Sequence, residues 1–95
     1  MSEMLRTKLT VCENHFFPFN IDIWTEFPFI PRDGDVITDY VDIEYYMLDE
    51  QEKSEISRDD FKKYSYYLSN LVVHGNAWWC KDHMGPYCSL FVECE

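Results

Sequence analysis

Ile30-Pro31-Arg32-Asp33-Gly34-Asp35-Val36 carries the strongest turn signal in the chain, and the fold reading starts there. Asp33 can bond its own backbone and Gly34 tolerates positive φ, so the chain should reverse at this point. Pro28 and Pro31 donate no backbone hydrogen bond, so Phe29-Ile30 between them fits an edge or an irregular link better than a central strand. Upstream, Ile21, Ile23, Thr25 and Phe27 alternate with Asp22, Trp24 and Glu26, the period of a half-buried strand. Downstream, from Val36 to about Leu48, Val36, Ile37, Thr38, Tyr40, Val41, Ile43, Tyr45 and Tyr46 favour another strand, with a bulge where the alternation slips.

Moving outward, Leu5, Thr7, Leu9 and Val11 alternate with Arg6, Lys8 and Thr10, which predicts a first strand. The acidic run Asp49 to Glu55 has no apolar residue and reads as an exposed loop. Ser57 with Asp60 forms a variant capping box, and Phe61, Tyr64, Leu68 and Leu71 follow at helical spacing, predicting a helix from about Ser57 to Ser69. Leu71 to Cys80 is a fourth strand with a bulge or close backbone approach at Gly75. The polar link Lys81 to Pro86 then leads into Tyr87 to Glu93, a fifth strand. The expected fold is mainly β, on the border of all-β and α+β. It is a small antiparallel five-stranded barrel-like sheet with one helix inserted between strands 3 and 4, and a flat sheet with one helix packed on it is the alternative.

Ninety-five residues fit a single domain spanning 1–95. A chain of this size buries only about 60 to 65% of the surface that its unfolded form exposes, so the core is thin. The aromatic content of 18% supplies the bulk of it. Eighteen acidic against eight basic residues give a net charge of -10, which disfavours direct contact with nucleic acid phosphates or anionic membranes and makes a basic partner the easier electrostatic match. Met1 to Lys8 lacks an apolar signal core, and no apolar run approaches a membrane span, so the chain reads as cytoplasmic.

The segment Phe27-Pro28-Phe29-Ile30-Pro31-Arg32-Asp33-Gly34-Asp35, followed by a strand and a later Val-rich, Trp-containing hairpin, resembles a group of small uncharacterised Bacteroidetes proteins that share an F-I-P-R-x-G-D turn. The resemblance covers Ile21 to Val41 and, more loosely, Val72 to Val92. It implies a path between two strands and no activity.

Four cysteines, Cys12, Cys80, Cys88 and Cys94, contain no Cys-x-x-Cys and read as reduced thiols packed in a core. Cys80 could face Cys88 across the hairpin, and Cys12 could face Cys94 if the terminal strands pair. The best metal candidate is His74-x5-Cys80-x2-His83-x4-Cys88, whose residue types suit zinc but whose spacing matches no recognised finger. A Cys80/His83 nucleophile and base pair lacks a third group or an oxyanion turn. Asp33, Asp35, Asp39, Asp42, Glu44, Asp59 and Asp60 arise readily from an acidic composition, and a turn and a helix cap account for most of them.

Trp78 and Trp79 should point to opposite faces of a strand, so at most one need be core and the other marks an interaction patch or a dimer contact; two buried tryptophans, one beneath the helix, are the alternative. The expectation that follows is a non-enzymatic binding module without a cofactor. Its acidic surface, Asp39, Asp42 and Glu44 included, and Trp78 or Trp79 contact another protein. Two rivals from other classes are an acidic nucleic-acid mimic, whose carboxylates from Asp33 to Glu55 imitate phosphates, and a small zinc-binding protein.

Overall fold

The computed structural model describes residues 4–37 and 43–95. The period-two segments form strands where alternation predicts them: β1 is Leu5–Val11 and β2 is Ile21–Phe27. The chain then reaches two short helices, α1 (Glu50–Glu55) and α2 (Arg58–Tyr64), before returning in β3 (Leu71–Asp82) and β4 (Gly85–Cys94).

The barrel expectation is overturned. The sheet has four strands in the order β2-β1-β4-β3 and does not close. It is also mixed: β1 pairs antiparallel with β2 (Leu5 opposite Phe27 through Val11 opposite Ile21), yet β1 and β4 run parallel, from Thr7 beside Cys88 to Val11 beside Val92. The expected third strand is where the count fails. Of the segment 36–48, residues 38–42 lie outside the described residues, Val36 makes a single bridge to Val72, and Tyr45–Met47 is a turn of 3-10 helix. The reason is visible at Tyr45, whose hydroxyl lies 2.9 Å from the carbonyl oxygens of both Lys53 and Ile56 and whose ring stands edge-on to Phe61 at 5.5 Å. Its aromatic bulk is used against helices, not a neighbouring strand.

Short stretches of loop meet each sheet edge at one or two residues. On the β2 side, Leu48 bridges Ile23 and the Asp49 N–H donates to the Asp22 carbonyl. On the β3 side, the Gly34 N–H donates to Val73 and the Val73 N–H donates back to Asp35. The turn at Asp33-Gly34 is thus an edge cover as well as a reversal: Gly34 has φ of 91°, Asp35 accepts the Arg32 N–H through its carboxylate, and Asp33 accepts the Gly75 N–H. Edge strands covered in this way offer fewer free donors and acceptors to other chains.

The run 49–55, expected as a loop, forms α1 instead. Its first turn holds Glu50 and Glu52 where the helix dipole favours anions, Lys53 pairs with Glu50 at 3.2 Å, and no residue of it is buried. Contacts at its two ends hold so short a helix: Leu48 and Ile56 flank it in the core, and the Tyr45 hydroxyl bonds the Lys53 and Ile56 carbonyls. Ser57 caps α2 as predicted, accepting the Asp60 N–H, although the helix tightens to 3-10 over Ser65–Ser69.

One face of the sheet supplies Leu9, Val11, Ile21, Ile23, Phe27, Leu71, Val73, Leu90 and Val92, and the helical layer covers it with Leu48, Ile56, Phe61 and Leu68, all in one cluster. Cys88 and Cys94 are buried in the same cluster as free thiols.

Candidate interaction face

Because side chains alternate along a strand, burying the Leu9, Ile23 and Leu90 set turns the intervening residues to the other face of the sheet. No described element covers that second face, and its residues are exposed or half-buried. The register arranges them in rows. Trp24, Lys8, Ser89 and Trp78 form one row across the four strands, and Asp22, Thr10, Phe91 and His74 form the next.

At one end of this face the chain builds its own cation site. The Arg6 guanidinium lies 4.5 Å from the Trp24 ring centre and 5.4 Å from that of Tyr87, and those two rings meet edge-on at 5.0 Å. Lys8 adds a second ammonium 5.4 Å from Tyr87. Arg6 also donates two parallel hydrogen bonds of 2.9 and 2.8 Å to Asp82, the bidentate geometry that gives guanidinium and carboxylate their specificity. The hydrogen bonds from Arg6, with a further one from the Met84 N–H, hold the Asp82 carboxyl down at about 2 despite some desolvation. Asp82 therefore closes the two-residue His83-Met84 turn and anchors β1 to the hairpin at once. Trp24 donates its indole N–H to Asp49 at 3.2 Å, and an open depression of about 400 Å³ lies beside it, lined by Arg6, Trp24, Thr25, Glu26 and Met84.

At the other end Trp78 stands edge-on to Phe91 at 6.4 Å, with the two residues 63% and 43% exposed. Beyond them the His74 Nε2 lies 3.7 Å from Glu93 and 3.4 Å from Glu95. Which residue Trp78 faces depends on an irregularity, which sets it opposite Ser89 rather than Tyr87. The pairing of β3 with β4 shifts between His74 and Trp78, so that three residues of β3 oppose Leu90 alone, and Gly75, with φ of 85°, lies in the shift. The glycine signal read from the sequence marks this bulge.

Trp78 and Trp79 do take opposite faces, but neither packs in the core: Trp79 lies opposite Cys88, on the side of the helical layer, and remains 59% exposed. Glu44 is exposed and lines a groove with Tyr45, Arg58 and Phe61 in the helical layer, so it does not join Trp78 on the outer face. Asp39 and Asp42 lie outside the described residues. The sequence does not mark Arg6, Trp24 and Tyr87 as a group, although each occupies a position that alternation turns away from the core.

Among the described residues, no group of three or more His, Cys, Asp or Glu side chains is placed to hold a metal ion. Cys80 pairs with Tyr87 and Cys88 with Trp79, so the two thiols lie on opposite faces of the hairpin, which separates the members of the His74, Cys80, His83, Cys88 set. Burial pushes the Cys94 thiol up to about 11, with the Glu93 charge adding to it, and burial raises Cys88 as well. Neither thiol is poised as a nucleophile, which requires a thiolate.

Comparison with family models, curated proteins and solved structures finds no match. Among the described residues, no helix is long and apolar enough to cross a membrane.

Proposed function

We propose that this chain is a binding module without catalytic activity of its own, and that its uncovered sheet face contacts another protein. The observation that carries this reading is the Trp78–Phe91 pair, two large aromatic side chains left open to water on a sheet face that no described element covers. Exposed aromatic groups flanked by polar ones are the composition of binding hot spots. The net charge of -10 favours a partner with a basic surface, through steering and through exclusion of acidic competitors.

The nucleic-acid mimic is less well supported, because several of its carboxylates are engaged within the chain: Asp49 accepts the Trp24 indole N–H and Glu50 pairs with Lys53. Asp33 accepts the Gly75 N–H, and Asp35 accepts the Arg32 N–H. A mimic presents its carboxylates free and evenly spaced.

Affinity capture with the tagged chain, followed by chemical cross-linking, tests the proposal. A protein retained by the wild type and lost by Trp78→Ala is the expected result, with Phe91→Ala acting in the same direction. Capture that is indifferent to both substitutions removes the outer face from consideration. Displacement of the partner by duplex DNA at constant ionic strength would favour the mimic instead.

A further inference from the structure

The two ends of the outer face share aromatic rings and carboxylates and differ in the basic group beside them, Arg6 at one end and His74 at the other. At the Trp24 end, aromatic rings and a carboxylate enclose a guanidinium from the chain itself, Arg6. At the Trp78 end, an aromatic pair and carboxylates recur: Trp78 meets Phe91 edge-on, Glu93 follows Phe91 by two residues on the same face of β4, and Glu95 reaches His74 from the strand's end. Among the described residues, no Lys or Arg lies over the ring of Trp78 or Phe91; the cations that do stack belong to Trp24, Tyr87, Tyr45 and Tyr64.

Three properties select the occupant. The ring faces carry negative quadrupole potential, which attracts a cation and prefers the weakly hydrated, planar guanidinium to ammonium. Carboxylates at the rim offer the two-point hydrogen bonding that Asp82 already gives Arg6. Ser89, the small residue of the row that also holds Lys8 and Trp78, leaves the approach to the indole low. We infer that the Trp78 end of this face receives an arginine side chain from a basic segment of the partner protein, stacked on Trp78 and Phe91 and paired with Glu93. This rests on the outer face being an interaction surface at all; it goes beyond that reading by naming what the surface takes.

The probe is a labelled pentapeptide, acetyl-Gly-Arg-Gly-Arg-Gly-amide, titrated into the full chain while the Trp78 indole N–H is followed by NMR. Its citrulline counterpart keeps the planar shape but removes the charge and replaces one donor nitrogen with a carbonyl acceptor. Saturable shifts centred on Trp78 are expected, with the citrulline peptide weaker by about fivefold or more and the lysine peptide intermediate. Glu93→Gln, which preserves shape, should weaken arginine binding by about fivefold, and Trp78→Ala should abolish the shifts. Asp59→Asn, on α2 in the other layer, is the control for general acidity. Equal binding of the citrulline peptide, or equal weakening by Asp59→Asn and Glu93→Gln, overturns the inference. So does a captured partner that is lost with Trp78→Ala while the arginine peptide leaves Trp78 unmoved, and in that case the binding-module reading survives.

Discussion

Replacing Gly75 with alanine tests whether the bulge in β3 is held by a backbone that glycine alone adopts easily. Gly75 has φ of 85°, and a Cβ built on it meets nothing within 4 Å, so no clash adds to the conformational term. An L residue in that region is less stable by about 1 to 2 kcal/mol, and alanine recovers about 0.4 to 1 kcal/mol by restricting the unfolded chain. The net loss expected is about 1 kcal/mol, or roughly 4 to 8 °C in Tm for a domain of this size. Urea unfolding followed by tryptophan fluorescence measures it, with Gly75→Asn falling between the wild type and Gly75→Ala because asparagine enters the left-handed region more readily. Asp33 accepts the Gly75 N–H at 2.8 Å, so Asp33→Ala and Gly75→Ala act on one structure, and the double variant should lose less than the sum. A midpoint for Gly75→Ala equal to or above that of the wild type refutes the positive φ. A loss beyond about 3 kcal/mol that persists in the Asp33→Ala background refutes the open space around it, since packing damage then remains as the cause.

The remaining expectations concern core, charge and thiols. Leu90 is fully buried at the centre of the sheet, so Leu90→Ala should lose about 2 to 5 kcal/mol in the same urea assay, whereas Trp78→Ala should stay within about 0.5 kcal/mol. Asp82 titrates at about 2 against an ordinary 3.8, so its pairing with Arg6 stabilises the fold fully above 3.8 and is lost as pH falls toward 2; the Tm gap between wild type and Asp82→Asn should narrow over that interval, and a constant gap would contradict the pairing. Cys88 and Cys94, each 1% exposed, should resist a thiol reagent at pH 8 until denaturant is added, and Cys80 should react in the native state; mass mapping of the modified peptides distinguishes the sites.

What the sequence made legible was local. The alternation of Leu5 to Val11 and Ile21 to Phe27, the Ser57 cap, the Gly34 reversal and the Gly75 irregularity each follow from a few neighbouring residues, and the structure has them in place. What escaped was decided by partners far along the chain. The period of β4 says which of its faces is apolar, but nothing local says that it inserts between β1 and β3 or runs parallel to β1. Residues 45–47 have strand-forming side chains and still turn, because Tyr45 finds α1 and α2 residues to bond and stack against. The outer face shows the same division. Trp78 could be singled out as an exposed aromatic group, but assembling Arg6, Trp24, Tyr87 and Asp82 required the strand order.

The parallel junction of β1 with β4 also sets the order in which the molecule is completed. Each half can pair early: β1 with β2 through a short connection, and β3 with β4 through the two-residue turn at His83-Met84. The junction between the halves joins segments about 80 residues apart, the longest-range pairing in the sheet, and is the one expected to form late. During synthesis, the helices between the halves emerge before the platform they cover is whole. Until β4 is in place, Phe61 and Leu68 have only part of their packing surface.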